Sequence, residues 1–211
     1  MRFPLMALFG LVLTMAGPAQ AQGHQHSHGP KVLSVSETGL QWIEKAESKI
    51  GVKLDPALTF INQDGKTVSF GSLFDKPLFV TFVFTDCPEV CPVINASLKA
   101  AVDAARKKHG AAFRALTISF DPKRDTPARM KEYGANFSGD FALWSFGTLA
   151  PDTVKAVTEA FGFSFEPDPR EIWKHLALVS GVAKGGILMN QLYGMEVDRD
   201  KFTALAGALS K

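Results

Sequence analysis

The sequence predicts an α/β fold of three layers, in which a mixed central sheet lies between helices and is preceded by an N-terminal β-hairpin. Three observations carry this reading. Leu78–Phe84 (LFVTFVF) and Ala115–Phe120 are apolar on both faces, as strands in the middle of a sheet are. Helical segments alternate with these strands, which implies parallel neighbours joined by crossovers and a largely parallel sheet. Two later strands, Leu176–Val179 and Gly186–Leu192, are joined by a short Gly-containing turn, so they pair antiparallel.

Each element has its own signal. Ser36–Ile50 places Leu40, Ile43 and Ile50 on one side of an expected helix, with Glu47 interrupting the stripe. Leu58–Ile61 and Thr67–Phe70 flank Gln63-Asp64-Gly65, an Asp-Gly hairpin signal. Beyond Cys91, Ile94, Leu98, Ala101, Val102 and Ala105 recur at helical spacing, and Lys107-Lys108-His109-Gly110 is a stop of cations followed by glycine. His109 is expected to be solvated there. Asp125-Thr126-Pro127 opens a helix carrying Met130, Tyr133 and Phe137, with Asp125 as its cap and Asp121 as a turn former. Ala142–Phe146 reads as a short strand, and Pro151-Asp152 opens a helix that turns Val154, Val157 and Phe161 inward. Asp200–Leu209 closes the chain as a helix with Phe202, Leu205, Ala206 and Leu209 on one face.

The N-terminus bears on location. Arg2, the apolar run Leu5–Ala16 and the small-x-small triplet Ala19-Gln20-Ala21 predict a signal peptide over residues 1–21. The run falls short of the roughly 20 residues that span a bilayer. An exported, periplasmic protein beginning at Gln22 is expected, with no stable membrane anchor after cleavage. Residues 22–35 form an expected flexible leader containing His24, His26 and His28, and residues 36–211 form one domain. With 23 Lys and Arg against 21 Asp and Glu, the charge balance gives no reason to expect a nucleic-acid partner.

The chain has two cysteines, Cys87 and Cys91, in TDCPEVCP at the end of the first buried strand. Pro92 cannot donate a helical hydrogen bond, which predicts that the regular helix starts at Pro92 and that the cysteine turn caps it. Backbone N–H groups and the helix dipole would then lower the thiol pKa and favour thiolate. A disulfide over so short a loop would contribute about 2 kcal/mol, a small structural gain. A redox couple and a soft-donor metal site remain open. The C-x-x-x-C spacing is one residue wider than the usual thioredoxin-type motif and lets both sulfurs face a shared ion.

A βαβ unit followed by a ββα unit, with cysteines at the first strand-to-helix junction, is a thioredoxin-like arrangement, and open α/β sheets hold their chemistry beyond the carboxyl ends of the strands. In that layout the segment before the Leu176 strand lies beside the cysteine turn. His175, in IWKHLALVSG, is therefore the candidate third ligand of a Cys₂His set. Three ligands suit Cu(I), whereas zinc takes four. Asp121 and Asp125 are alternatively candidates for steering a cation toward the turn. The HQHSH tract is a candidate auxiliary metal site.

Four segments in order resemble the Sco/SenC family of copper-binding assembly proteins: LTFINQDGKTVSFGSLF, FVTFVFTDCPEVCPV, TISFDPKRDTPARMKEYGANF and KHLALVSGVAKGGILMNQLYG. The resemblance implies a thioredoxin-like fold and copper, Cu(I) and also Cu(II), held by Cys87, Cys91 and His175. It implies delivery of copper to, or maintenance of the thiols of, the binuclear copper site of a terminal cytochrome c oxidase. The implied partners are the copper-site subunit of that oxidase and a second periplasmic copper carrier. The chain departs from the family pattern in three places. Family members are often anchored by a transmembrane helix or a lipid, whereas this chain is expected to be freely soluble. Lys174 stands before the histidine where the family commonly has Asp. Pro167, Asp168, Pro169 and Glu171 precede it, so a carboxylate ligand could come from that loop.

Two function classes follow. A metallochaperone needs all three residues. A thiol–disulfide oxidoreductase acting on exported clients without copper would need Cys87 and Cys91 as its redox-active pair, but not His175.

Overall fold

The computed structural model describes residues 48–87, 90–167 and 173–211. The strands are β1 (Thr59–Asn62), β2 (Thr67–Ser69), β3 (Leu78–Val83), β4 (Arg114–Ser119), β5 (Trp144–Thr148), β6 (Phe165–Pro167), β7 (Trp173–His175), β8 (Leu178–Val182) and β9 (Leu188–Tyr193). The α-helices are α1 (Val90–His109), α2 (Pro127–Ala135), α3 (Val154–Ala160) and α4 (Arg199–Leu209), and a 3₁₀ turn spans Phe70–Leu73. The expected helix over 36–50 lies outside the described residues except for Ser48–Ile50, which are not helical.

Seven strands form one sheet in the order β2-β1-β5-β4-β3-β8-β9. Parallel pairing is confined, among the described residues, to β3, β4 and β5. The hairpin joins β5 antiparallel, and β8 joins β3 antiparallel. The sheet is thus mixed and less parallel than expected, because the N-terminal hairpin and the β8–β9 hairpin extend it on opposite sides with short connections. The Asp64-Gly65 turn closes the first hairpin as predicted.

Every residue of β3 and of β8 is buried, so both faces of the sheet are covered. Alternation along β3 separates the two layers. Phe79 packs on Phe202 of α4, at 4.3 Å between ring centroids, and on Phe113. Phe82, on the other face, packs on Phe161 and Phe163, which follow α3. Each buried phenylalanine contributes about 1.5–3 kcal/mol, and twelve are buried among the described residues. Gly134 of α2 lies against the Phe146 ring of β5, where a Cβ would come within 2.6 Å of it.

Three local readings change. α1 begins at Val90, ahead of the predicted Pro92. Amides in the first helical turn have no intrahelical acceptor in any case, so proline there removes no bond. Thr126, not Asp125, is the N-cap of α2: its side chain accepts from the Arg129 amide, and Asp125 turns inward. His109 is half-buried, not solvated. Its Nε2 meets the Thr203 carbonyl at 3.1 Å and its ring lies against Gly207, which fastens α1 to α4. The stop at Gly110 holds, with φ at 61° and its amide donating to the Arg106 carbonyl.

The segment before β1 runs antiparallel along the outer side of β9. The Leu188 amide donates to the Val52 carbonyl, and the amides of Gly51 and Leu54 donate to the carbonyls of Leu188 and Gly186.

Candidate metal centre

The site lies beyond the carboxyl end of β3. A short turn, Phe84–Asp86, carries the chain to Cys87, and Cys91 is the second residue of α1. Because β8 runs antiparallel to β3, with Val179 opposite Thr81, the chain entering β8 passes the same end of β3. His175 sits there, at the end of β7. Sequence periodicity missed the short β6–β7 hairpin, which pairs Phe165 with His175 and Pro167 with Trp173 in a two-stranded sheet of its own. Three-residue strands are too short for a period-2 pattern to register.

The three predicted ligands come together. One donor atom from each of Cys87, Cys91 and His175 lies within 4.8 Å of the other two. Cys91 Sγ is 3.5 Å from His175 Nε2. Both cysteines are thiols. Cys91 is fully buried, and Cys87 is 8% exposed. His175 Nδ1 donates to the Leu176 carbonyl at 3.0 Å, which fixes the tautomer and leaves the Nε2 lone pair facing the sulfurs. The rings of Phe84, Phe120 and Phe163 surround the imidazole at 5.6–6.0 Å between centroids.

The Cys91 amide donates to Cys87 Sγ at 3.3 Å, so the first-turn amide does point at a sulfur as predicted. The Cys91 thiol itself is pushed well up, contrary to the predicted thiolate. Its hydrogen bond with Cys87 is the main cause, followed by burial and by the nearby charges of Cys87 and Asp125.

Two polar clusters hold the turn. Asn95, fully buried on α1, donates to the Cys91 carbonyl (3.1 Å) and to Tyr133 Oη (2.9 Å), and accepts from Thr117 Oγ1 (3.2 Å). Burial, with the nearby Cys91 sulfur, raises the Tyr133 phenol strongly. On the other side, buried Asp125 accepts from the amide and hydroxyl of Thr85 and from the Ser119 hydroxyl. Arg129 pairs with Asp86 at the rim. Neither Asp121 nor Asp125 belongs to the three-residue donor cluster. Both instead brace it: Asp121 accepts from Trp173 Nε1 at 3.0 Å and from Arg124. Asn95, Thr85 and Trp173 were not singled out by the sequence, since nothing local marks a polar residue as buried under a site.

Lys174 alternates with His175 along β7 and is exposed, opposite Glu166 on β6, so its charge faces away from the donors. Asp168, Pro169 and Glu171, the candidate carboxylate loop, lie outside the described residues, as do His24, His26 and His28.

A family model described as SCO1/SenC matches residues 47–202. The chain belongs to the SCO1/SenC family. The SCO1 protein homolog of Bacillus subtilis is 31% identical over 105 residues, which cover 50% of this chain and 53% of that protein. The chain thus spans about half the length of that curated relative. Among solved SCO1/SenC structures, ScoI of Arabidopsis thaliana with copper bound is 26% identical and covers 76% of this chain and 96% of its own, with a TM-score of 0.64. ScoI of Bradyrhizobium japonicum, also with copper bound, is 25% identical and covers 76% and 99%, with a TM-score of 0.64. The family is associated with copper binding and cytochrome oxidase assembly, and the mixed sheet is its thioredoxin-like fold. No helix among the described residues is long and apolar enough to cross a membrane.

Proposed function

We propose that this protein is a periplasmic copper carrier that takes one Cu(I) ion on Cys87, Cys91 and His175. It delivers that ion to, or keeps reduced the thiols of, the binuclear copper site of a cytochrome c oxidase. The observation that carries this reading is the convergence of two soft sulfurs and an oriented imidazole nitrogen within 4.8 Å. The donor chemistry fits copper: two sulfurs and one nitrogen make a complete set for Cu(I), and zinc would need a fourth ligand. Cu(II), the second cargo state, would rest on the same three donors. Fixing the His175 tautomer through the Leu176 carbonyl prepares the nitrogen before the cargo arrives.

Loading must remove protons from the thiols, so apparent affinity should rise with pH while Cys91 still carries its proton. The same burial and raised thiol argue against a freely exchanging oxidoreductase, which works through an accessible thiolate. The export signal and a cleavage after Ala21 support a periplasmic location, and the three leader histidines would serve as a capture site for incoming copper.

The test is a titration of the reduced protein with Cu(I) against a competing chelator. One tightly held equivalent is expected, with a loss of affinity of about a hundredfold or more in His175→Ala. Wild-type protein that takes up no copper above background would defeat the proposal. Removing residues 22–30 should slow copper uptake and lower total stoichiometry. Unchanged values would remove the capture site and leave the main site standing.

A further inference from the structure

The hairpin β6–β7 carries His175 but shares no backbone ladder with the seven-stranded sheet. The imidazole must nevertheless be held against sulfurs that sit on a different element. A part-buried polar contact reaches across the gap. Trp173, two residues before His175 and on the same face of β7, donates its indole Nε1–H to Asp121 Oδ2 at 3.0 Å. Asp121 is itself nearly buried, 4% exposed. It is fixed from the other side by Arg124 and by its own amide, which donates to Ser119 Oγ. Beneath both residues lies one ring, Phe120, whose centroid is 6.0 Å from Trp173 and 5.6 Å from His175.

We propose that Trp173 is a positioning residue for the metal centre: its hydrogen bond to Asp121 sets how His175 Nε2 approaches Cys91. This rests on the proposed copper reading but names a different actor. Phe120 gives the hairpin a greasy seat, and rings can slide on such a surface with little change in contact. An indole N–H on a fixed carboxylate oxygen cannot slide, because hydrogen bonds weaken steeply with angle and distance. Trp173 therefore supplies the direction that ring packing leaves free. It touches neither the cargo nor the sulfurs.

Trp173→Phe keeps an aromatic ring on Phe120 and removes only the donor. Cu(I) affinity should fall about tenfold, the fold-change of one charge-assisted hydrogen bond. X-ray absorption of the loaded variant should show a weakened nitrogen contribution beside an intact pair of sulfurs. Asp121→Asn, which keeps an oxygen to accept from Trp173, should hold affinity within about threefold, whereas Asp121→Ala should match Trp173→Phe.

A second readout needs no copper. In the metal-free protein the His175 imidazole should keep its Nδ1–H tautomer in both forms, while its Nε2 resonance, which senses the Cys91 thiol, should shift in Trp173→Phe. Unchanged affinity and an unchanged imidazole signature in Trp173→Phe would overturn the proposal. So would equal losses in Asp121→Asn and Asp121→Ala. Should wild-type protein fail to bind copper, the carrier reading falls, while the metal-free resonances still decide the role of Trp173.

Discussion

At the scale of single residues, the Cys91 amide donates to the Cys87 sulfur, and the two thiols are hydrogen-bonded to each other as well. Cys91 is raised by its side-chain hydrogen bond with Cys87 and by burial, so folding favours its protonated form. The associated stability is present below the pKa of an unfolded cysteine, about 8.5, and is lost as pH rises from there through the folded value. Tyr133, also raised, acts in the same sense above about pH 10. Guanidinium unfolding of the reduced, metal-free protein should therefore show stability falling above about pH 8.5, with a shallower fall in Cys91→Ser. Asn95 is the other residue on which the turn depends. Asn95→Ala strips partners from Tyr133, Thr117 and the Cys91 carbonyl at once. It should cost about 3 kcal/mol in the same unfolding assay, since each buried group left unsatisfied costs about 1–3 kcal/mol.

At the scale of elements, the approach of α2 to β5 is set by Gly134. In an open helix Gly→Ala would gain about 1 kcal/mol. Here the new methyl meets the fully buried Phe146 ring, so Gly134→Ala should lower stability by about 1–2 kcal/mol, read as a lower denaturant midpoint. Long elements were legible in the sequence. The all-buried β3 and the periodic stripe of α1 state their own type, and the Asp-Gly pair fixes the first hairpin. The start of α1 was misread because a proline rule that holds for helix interiors was applied to a first turn. The β6–β7 hairpin was illegible because its strands are held by side-chain contacts with Phe120 and Asp121, distant in sequence. The donor set was legible for another reason: soft ligands in a nearly cysteine-free chain are conspicuous, and strand order alone brings His175 to the end of β3. What braces the donors was not, since Asn95, Thr85 and Trp173 acquire their roles only when the chain closes.

At the scale of the whole molecule, a cargo held on α1 and β7 at once ties together parts of the chain far apart in sequence. Binding to the folded state alone should add about 2.7 kcal/mol of stability at free Cu(I) a hundredfold above Kd. The shift in thermal midpoint should vanish in Cys91→Ser and in His175→Ala, and a shift that persisted in both would place the ion elsewhere.

The strip of backbone that runs along β9 has a consequence for how this domain can be cut from its chain. Residues 51–54 occupy the outer backbone groups of Gly186 and Leu188, where the last strand begins, beside the exposed side chains of Ile187 and Met189. A fragment beginning at Asp55 would keep every strand of the sheet and the complete donor set. It would also present a bare, sticky border to its neighbours, and chains with such borders recruit one another strand by strand. Light scattering of that fragment should reveal concentration-dependent self-association that the chain beginning at Ser48 does not show.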